Sequence, residues 1–584
     1  MSASLPQAQS ALMASHRMVE DLLHALGVTS FFGVSGANIE PLFSAIEHTS
    51  AQLILAKHEF SAGAMAEGSA RVSGKPAAVL TTSGAGAYNL VPLLAEAFSS
   101  RTPLVACVGD IPLAQVGQGA FQEASGQIGT LSLKSCLDSV SRFCVQIRSQ
   151  EDWDRAIQCA RKHLTSGTPD SGPVVFILPR DVQLQSWEKM RSVLPQDDAR
   201  AEKATWHAAE TQLILQRFMD SSKRAILVGE EWIKHFENHE SQALFEKLNT
   251  PVILTLQAKA VLSSQHPLFA GLCGSVGHSE VLSLIRDSEA VLVLGSRLPL
   301  FDRYGIDSLL NDSSRTVISF SSEGSFIQNL PYDHRLKDRV SWQKLFHLLN
   351  DLDSGGAELS CATSDSTEVP GLRTELPQTY LEQITRCLSA ATQNSPLNWV
   401  FDAGNACASV AKNLVLHPDS TFTIALGMGG MGYSFGAAIG IAANMESQKR
   451  EFPKKKPTIQ VVGDGSFFMH GPEIHTAREN GIPHLVIVLN NSSHAMCGTR
   501  EELYLGGRGT KQDFKPSFIA DGMKALFPEI HAHRVESLSS LQTEMSEFLE
   551  NPKLTLIELV IDASEFPSFM PFLDRLKFLN KRGH

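Results

Sequence analysis

The sequence predicts an α/β fold made of three doubly wound parallel-sheet domains, and three observations carry that expectation. Short apolar, β-branched runs recur along the chain, as in strands buried on both faces. Helical stretches alternate with them, which implies right-handed crossovers within parallel sheets. Two polar stretches poor in apolar residues, Gln183 to Lys203 and Asp351 to Glu368, read as linkers. Together with a tail, they divide the 584 residues into expected segments 1–185, 200–350, 370–563 and 564–584, within the about three or four domains that length allows.

Composition excludes several classes. With 43% hydrophobic and 19% charged residues the chain has an ordinary globular composition. A net charge of −12 without a Lys/Arg stripe argues against nucleic acid, and Lys454-Lys455-Lys456 reads as a solvated loop. No run approaches a membrane span, and Met1 to Ser15 lacks the charged-then-apolar order of a signal peptide. The nine cysteines are scattered with no Cys-x-x-Cys pair, so a reduced, cytoplasmic protein is expected. His58-Glu59 does not continue to His-Glu-x-x-His, and His470 with His475 lacks neighbouring ligands; neither reads as a metal site.

The first third opens with an amphipathic stretch, Met13 to Leu26, then a strand from Thr29 to Val34 and the loop Ser35-Gly36-Ala37-Asn38. A strand at Leu53–Ala56 leads to a helix from Glu59 to Val72, rich in small residues, and a strand from Ala77 to Thr82. Ser83-Gly84-Ala85-Gly86-Ala87 turns into a further helix, and Leu104–Asp110 is another strand. Glu59 opens its helix, where a carboxylate is favoured by the dipole. Gln122 is the best polar candidate for a substrate side, against a plain surface helix cap.

The middle third begins with a helix near Glu210 to Met219, followed by strands at Ala225–Gly229, Val252–Thr255, Ala290–Gly295 and Thr316–Phe320. This reads as a Rossmann-like layer without a Gly-x-Gly-x-x-Gly turn. The last third carries a helix, Gln378 to Thr392, and a strand from Asn398 to Gly404. A glycine-rich run from Ala425 to Gly440 follows, including Gly429 and Met431. As composition alone, its glycines fit either tight helix packing or close passage beside a ligand.

The chain is organised around a βαβ unit. Thr458 to Gly463 and Leu485 to Asn490 read as buried parallel strands, with a helix from Gly471 to Gly481 between them. Asp464 leaves the first strand and Asn491 the second at the same sheet edge, so a carboxylate and an amide oxygen can meet over one crevice. One carboxylate and one amide suit Mg²⁺ that keeps a water and takes its other oxygens from a phosphorylated ligand. Gly463 and Gly465 allow the backbone to approach such a ligand, with Ser466 next to them as a further cofactor-binding candidate, and the following helix points its N-terminus at the anion.

Gly463-Asp464-Gly465, then 24 residues, then Asn490-Asn491 resembles the diphosphate–metal motif of thiamine diphosphate (ThDP) enzymes. Lys57 to Arg71, Thr82 to Leu90, Ala120 to Ala124 and Gly172 to Val182 resemble acetohydroxyacid (acetolactate) synthases and the related pyruvate oxidase-like group. The resemblance covers nearly the whole chain and implies pyrimidine-binding, Rossmann-like middle and diphosphate-binding domains. It implies that Asp464, Asn491 and the carbonyl of Ser493 hold Mg²⁺, that Gly84, Gly429 and Met431 line the cofactor, and that Glu59 bonds the aminopyrimidine ring nitrogen. That contact promotes the proton transfer that turns the thiazolium carbon into a nucleophile.

The same resemblance implies a homodimer or homotetramer, with Glu59 of one chain facing Asp464 and Asn491 of another. The expected reaction is decarboxylation of a 2-oxo acid, with pyruvate as donor, and ligation of the acyl unit to a carbonyl acceptor. A decarboxylase without ligation and a flavin-dependent oxidase are the alternatives. The stretch Gly117 to Glu123 lacks the adjacent His pair of pyruvate decarboxylases, which favours ligation. The loop Gly33 to Asn38, with Ala37 and Asn38 as substrate-side candidates, leans instead toward benzoylformate decarboxylases. His494, after the metal loop, is a further substrate-side candidate. FAD is not favoured, because Leu298-Pro299-Leu300-Phe301 departs from the pattern of FAD-bearing members. For the tail, Phe566 to His584, a docked terminus ranks ahead of a lid and of a membrane-surface helix.

Overall fold

A computed structural model describes residues 12–188, 208–327, 330, 332–352, 379–447, 456–507 and 511–581. Most of both expected linkers, and Lys454 and Lys455, lie outside these residues. The chain forms two compact units. The first is drawn from Met1–Ala204, Leu426–Arg450 and Pro472–Asn480, and the second from Thr205–Ala425, Glu451–Gly471 and Gly481–His584.

Within the first unit a six-stranded sheet is parallel throughout. Its spatial order is Gln52–Leu55, Ser30–Gly33, Ala77–Thr81, Leu104–Asp110, Pro173–Pro179, Phe143–Gln146. The central strands are buried end to end because helices cover both faces. The helix Glu59–Ser73 is closed at its start by His58, whose ring accepts from the Phe60 N–H at 3.1 Å, and at its end by Gly74 at φ +67°. Against it packs the helix Tyr433–Ser447. A Cβ on Gly436 would collide with the Ser61 carbonyl oxygen, and one on Gly440 with that of Met65. Much of the glycine-rich run therefore serves close helix contact.

The second unit holds two further six-stranded sheets, both fully parallel. The middle sheet runs Phe269–Leu272, Val252–Leu254, Arg224–Val228, Ala290–Leu294, Thr316–Ser321, Tyr332–Arg335, the doubly wound Rossmann order expected. The last sheet runs Thr421–Ile424, Asn398–Phe401, Thr458–Gly463, Leu485–Asn490, Thr555–Val560, His531–Val535. By position in the chain this is the same strand order as in the first sheet. The α/β class and three parallel sheets agree with the sequence reading.

The βαβ unit differs in one detail. A helix already starts at Asp464 and runs to His470, a short 3₁₀ turn covers Gly471–Glu473, and a second helix spans Ile474–Glu479. Gly-Asp-Gly-Ser reads locally as a turn, yet the open end of the strand feeds it straight into a helix.

The tail is docked. Helix Met570–Lys581 buries Met570 and Phe572. The Met570 N–H donates to the Ser275 carbonyl at 2.8 Å, Arg575 Nε to the Leu503 carbonyl at 3.0 Å, and the Tyr504 hydroxyl to the Pro571 carbonyl at 3.3 Å. Among the described residues no helix is long and apolar enough to cross a membrane.

Candidate active site

The first unit holds the residues expected around a pyrimidine ring and a substrate. Glu59 is the first residue of its helix and is half-buried. Its Oε2 accepts from Asn89 Nδ2 at 3.0 Å, and its Oε1 lies 2.9 Å from where a Cβ on Gly86 would sit. Gly86 thus leaves the carboxylate its place. Glu473 supports the approach to this helix, since its buried Oε1 accepts from the Lys57 N–H at 2.9 Å and from the Thr476 hydroxyl at 2.6 Å.

A second polar chain joins the substrate-side candidates. Asn38 Nδ2 donates to Ser83 Oγ at 2.6 Å, and that hydroxyl donates to Gln122 Oε1 at 3.0 Å. Gln122 lies at φ +65° on a loop and not at a helix cap, and its Cγ is 2.9 Å from a Cβ position on Gly84. Asn38, Ser83, Gly84 and Gln122 are therefore brought together, whereas Ala37 stays exposed beside them.

The loop with Gly429 and Met431 belongs to the same unit. Its Met428 N–H donates to Glu96 Oε2 at 2.6 Å and its Gly427 N–H to Glu96 Oε1 at 3.3 Å. Gly429 takes φ +66° with open space beside it, and Met431 is half-buried. Beneath the loop lies a buried charge network absent from the sequence reading. Glu67, wholly buried, accepts from Arg71 Nε at 2.9 Å and Nη2 at 2.6 Å, from the Thr102 hydroxyl at 2.7 Å and from the Tyr433 hydroxyl. Burial alone would push the Glu67 carboxyl up, but Arg71 and the two hydroxyls override it and hold it below the ordinary value.

The second unit holds the expected metal and diphosphate residues. The strands Thr458–Gly463 and Leu485–Asn490 are in register, Gly463 opposite Leu489, so Asp464 and Asn491 emerge side by side. The Asn491 N–H points at Asp464 Oδ1 at 3.4 Å, and Asn491 Oδ1 accepts from the Ser493 N–H at 3.1 Å. Asp464 is 1% exposed, yet its Oδ2 has no hydrogen-bond partner. Burial pushes its carboxyl up, partly offset by the Asn491 N–H. Such an oxygen is costly unless something occupies it. A hard divalent cation satisfies it, and Asn491 Oδ1 and the Ser493 carbonyl are neighbouring oxygens of the right chemistry.

Other residues hold this loop. Ser466 is buried, and its hydroxyl donates to Asp402 Oδ1 at 2.7 Å. Gly465 is buried within the first helical turn, while Gly463 has open space around it. Asn490 donates through Nδ2 to the buried Glu558 at 2.6 Å, while its Oδ1 accepts from the Ser492 N–H at 3.1 Å. His494 stacks edge-on against Phe514 with ring centroids 4.7 Å apart. Asp402 directly follows the strand Asn398–Phe401 and Glu558 lies within Thr555–Val560, both far from the motif in sequence, so only the sheet order reveals them.

The comparisons with known proteins agree with this chemistry. Residues 13–129, 211–336 and 402–559 match, in turn, families described as the thiamine pyrophosphate enzyme N-terminal TPP binding domain, central domain and C-terminal TPP binding domain. The chain belongs to the thiamine pyrophosphate enzymes.

Relatives of this thiamine pyrophosphate enzyme span nearly its whole length. It is 26% identical to the acetolactate synthase isozyme 1 large subunit of Escherichia coli over 94% of both chains. It is 25% identical to the probable acetolactate synthase large subunit of Methanocaldococcus jannaschii, over 94% of this chain and 92% of the other. A thiamine diphosphate-dependent 4-hydroxybenzoylformate decarboxylase from Rhodococcus jostii shares the fold, with a TM-score of 0.75, 18% identity, and 95% and 100% of the two chains covered.

Because the buried Asp464 carboxylate is the expected metal ligand with an unpartnered oxygen, replacing it with Ala should remove ThDP-dependent protection. Wild type is expected to melt higher with ThDP and Mg²⁺ together than with either alone. Asp464→Ala should show no such rise, and an equal rise in both proteins would exclude Asp464 as the ligand.

Proposed function

We propose that this protein decarboxylates a 2-oxo acid, with pyruvate as donor, and joins the acyl unit to a carbonyl acceptor, using ThDP and Mg²⁺. The observation that supports it most is the orphaned, buried Asp464 oxygen beside the Asn491 amide, in a chain related end to end to acetolactate synthase large subunits. Bound there, ThDP supplies a carbon nucleophile and an electron sink for loss of CO₂. In the second unit Asp464, Asn491 and Ser493 would hold the metal, and in the first Gly429 and Met431 would border a pyrimidine ring. Glu59, whose carboxylate accepts from Asn89, would hold a proton toward the ring nitrogen. Asn38, Ser83 and Gln122 form the polar wall that orients substrate.

The working unit in this reading is a homodimer, or a tetramer of two dimers, in the cytoplasm. Phe121, Ile128 and Leu131, on the loop that carries Gln122, are 88%, 85% and 68% exposed, a patch suited to cover by a second copy.

No flavin is part of the proposal. At the carboxyl ends of the middle strands, where a dinucleotide would lie, a Cβ on Gly229 would collide with Ser296 and one on Gly295 with the Trp232 backbone. Glu230 and Asp302 also lie there, the Glu230 carboxyl pushed up by burial and by Glu231 and the Asp302 carboxyl by burial and by Glu230, and acidic groups are a poor lining for a pyrophosphate.

A decarboxylase without ligation is the second reading, favoured by the loop Gly33 to Asn38. The deciding experiment supplies pyruvate, ThDP and Mg²⁺ to purified protein, follows CO₂ and identifies products by mass spectrometry. An acetohydroxyacid or acyloin is the expected product. Acetaldehyde alone would favour the second reading, and no CO₂ would exclude pyruvate as donor.

A further inference from the structure

The last sheet carries a cluster that the proposed reaction does not use. Its edge strand, His531–Val535, places His531 and His533 on one face, two residues apart. Across from them, the helix Leu538–Glu550 presents Glu544 and Glu547, one turn apart. The two imidazole centroids are 4.1 Å apart. His531 Nε2 is 3.2 Å from Glu544 Oε2 and 3.7 Å from Glu547 Oε2, and His533 Nδ1 is 3.5 Å from Glu544 Oε1.

We propose that His531, His533 and Glu544 form a second metal site, for Zn²⁺ or a similar borderline divalent ion, with Glu547 or water as the fourth ligand. One donor atom from each of the three residues lies within 4.8 Å of the others. Ligands about 2.0–2.1 Å from a tetrahedral Zn²⁺ lie roughly 3.4 Å from one another, so small side-chain movements close the site. Two imidazoles with one carboxylate match zinc and its neighbours, and differ from the all-oxygen set of the Asp464 loop, which suits Mg²⁺.

The local chemistry fits further. Glu544 side-chain exposure is only 15%, so its carboxylate is held between the two rings. The ion would clip the edge strand of the sheet to the helix beside it.

The test uses the untagged full-length protein saturated with ThDP and Mg²⁺, titrated with Zn²⁺ against a chromophoric chelator, beside His533→Ala and Glu544→Gln. Wild type is expected to bind one more Zn²⁺ per chain than either variant and to melt higher with Zn²⁺. Affinity should fall by more than the roughly 10–100-fold that loss of an outer-shell partner costs. Turnover without Zn²⁺ should be the same in all three. Equal Zn²⁺ uptake by wild type and both variants, or no uptake by wild type beyond the Mg²⁺ site, would overturn the assignment. A Co²⁺ titration gives a second readout, since tetrahedral Co²⁺ absorbs far more strongly than the hydrated ion and that signal should be absent from the variants.

Discussion

Glu59→Gln is expected to lower turnover by about 10²–10⁴-fold, the usual worth of a positioned proton-transfer group, while leaving the fold and ThDP binding in place. The amide keeps the size of the side chain and can still accept from Asn89 at one oxygen. What it loses is the capacity to share a proton with a ring nitrogen. Glu59 is half-buried at a helix start and is held by Asn89, so the melting temperature should move little. Turnover of the 2-oxo acid, measured beside ThDP affinity, separates the outcomes. Activity within a few-fold of wild type would remove Glu59 from the proton path, and loss of ThDP binding would make it a binding residue instead.

The second large effect concerns stability. Glu67→Gln removes the carboxylate charge that Arg71 Nε and Nη2 both meet at Oε1, with Glu96 Oε1 still 3.4 Å from the guanidinium, which should cost about 3 kcal/mol and lower the urea midpoint clearly. Acid should narrow that gap. The folded Glu67 carboxyl lies below the ordinary 4.5, so as pH falls the unfolded chain takes up its proton first. The stabilisation from Glu67 is complete above that value and is lost as pH falls through the folded one. Glutamine has no such proton, and urea midpoints of the two proteins should converge toward acid. A constant gap would mean that shape, and not charge, sets the role of Glu67.

Much of this was legible in the sequence, for reasons that differ by element. Strands such as Leu104–Asp110 and Leu485–Asn490 are buried on both faces and therefore read as continuous apolar runs. Phe143–Gln146, Tyr332–Arg335 and His531–Val535 lie at sheet edges and mix polar with apolar residues, so no continuous apolar run marks them. Asp464 and Asn491 were readable because a βαβ unit fixes where its strand ends go. The bond from Glu96 to the Met428 loop was not, since the partners are 332 residues apart. Glu67 and Arg71 are visible as an i,i+4 pair, but only tertiary packing decides that such a pair is buried and not solvated. The His531–Glu544 cluster stayed hidden for a similar reason: no spacing rule joins a strand face to the helix that folds back over it.

The helix seam in the first unit has a consequence for how this chain can change over time. At Gly436 and Gly440 one helix rests on the carbonyl oxygens of Ser61 and Met65, and Gly68 in turn faces Ala437 with 2.8 Å between a would-be Cβ and the Ala437 Cα. A new side chain on either helix cannot be absorbed by a rotamer change, because what it meets is backbone. Two stretches more than 360 residues apart in sequence must therefore drift together or stay still. Since Glu59 opens one helix and the loop holding Met431 leads into the other, inherited variation should accumulate around this seam and leave the spacing of those two residues untouched.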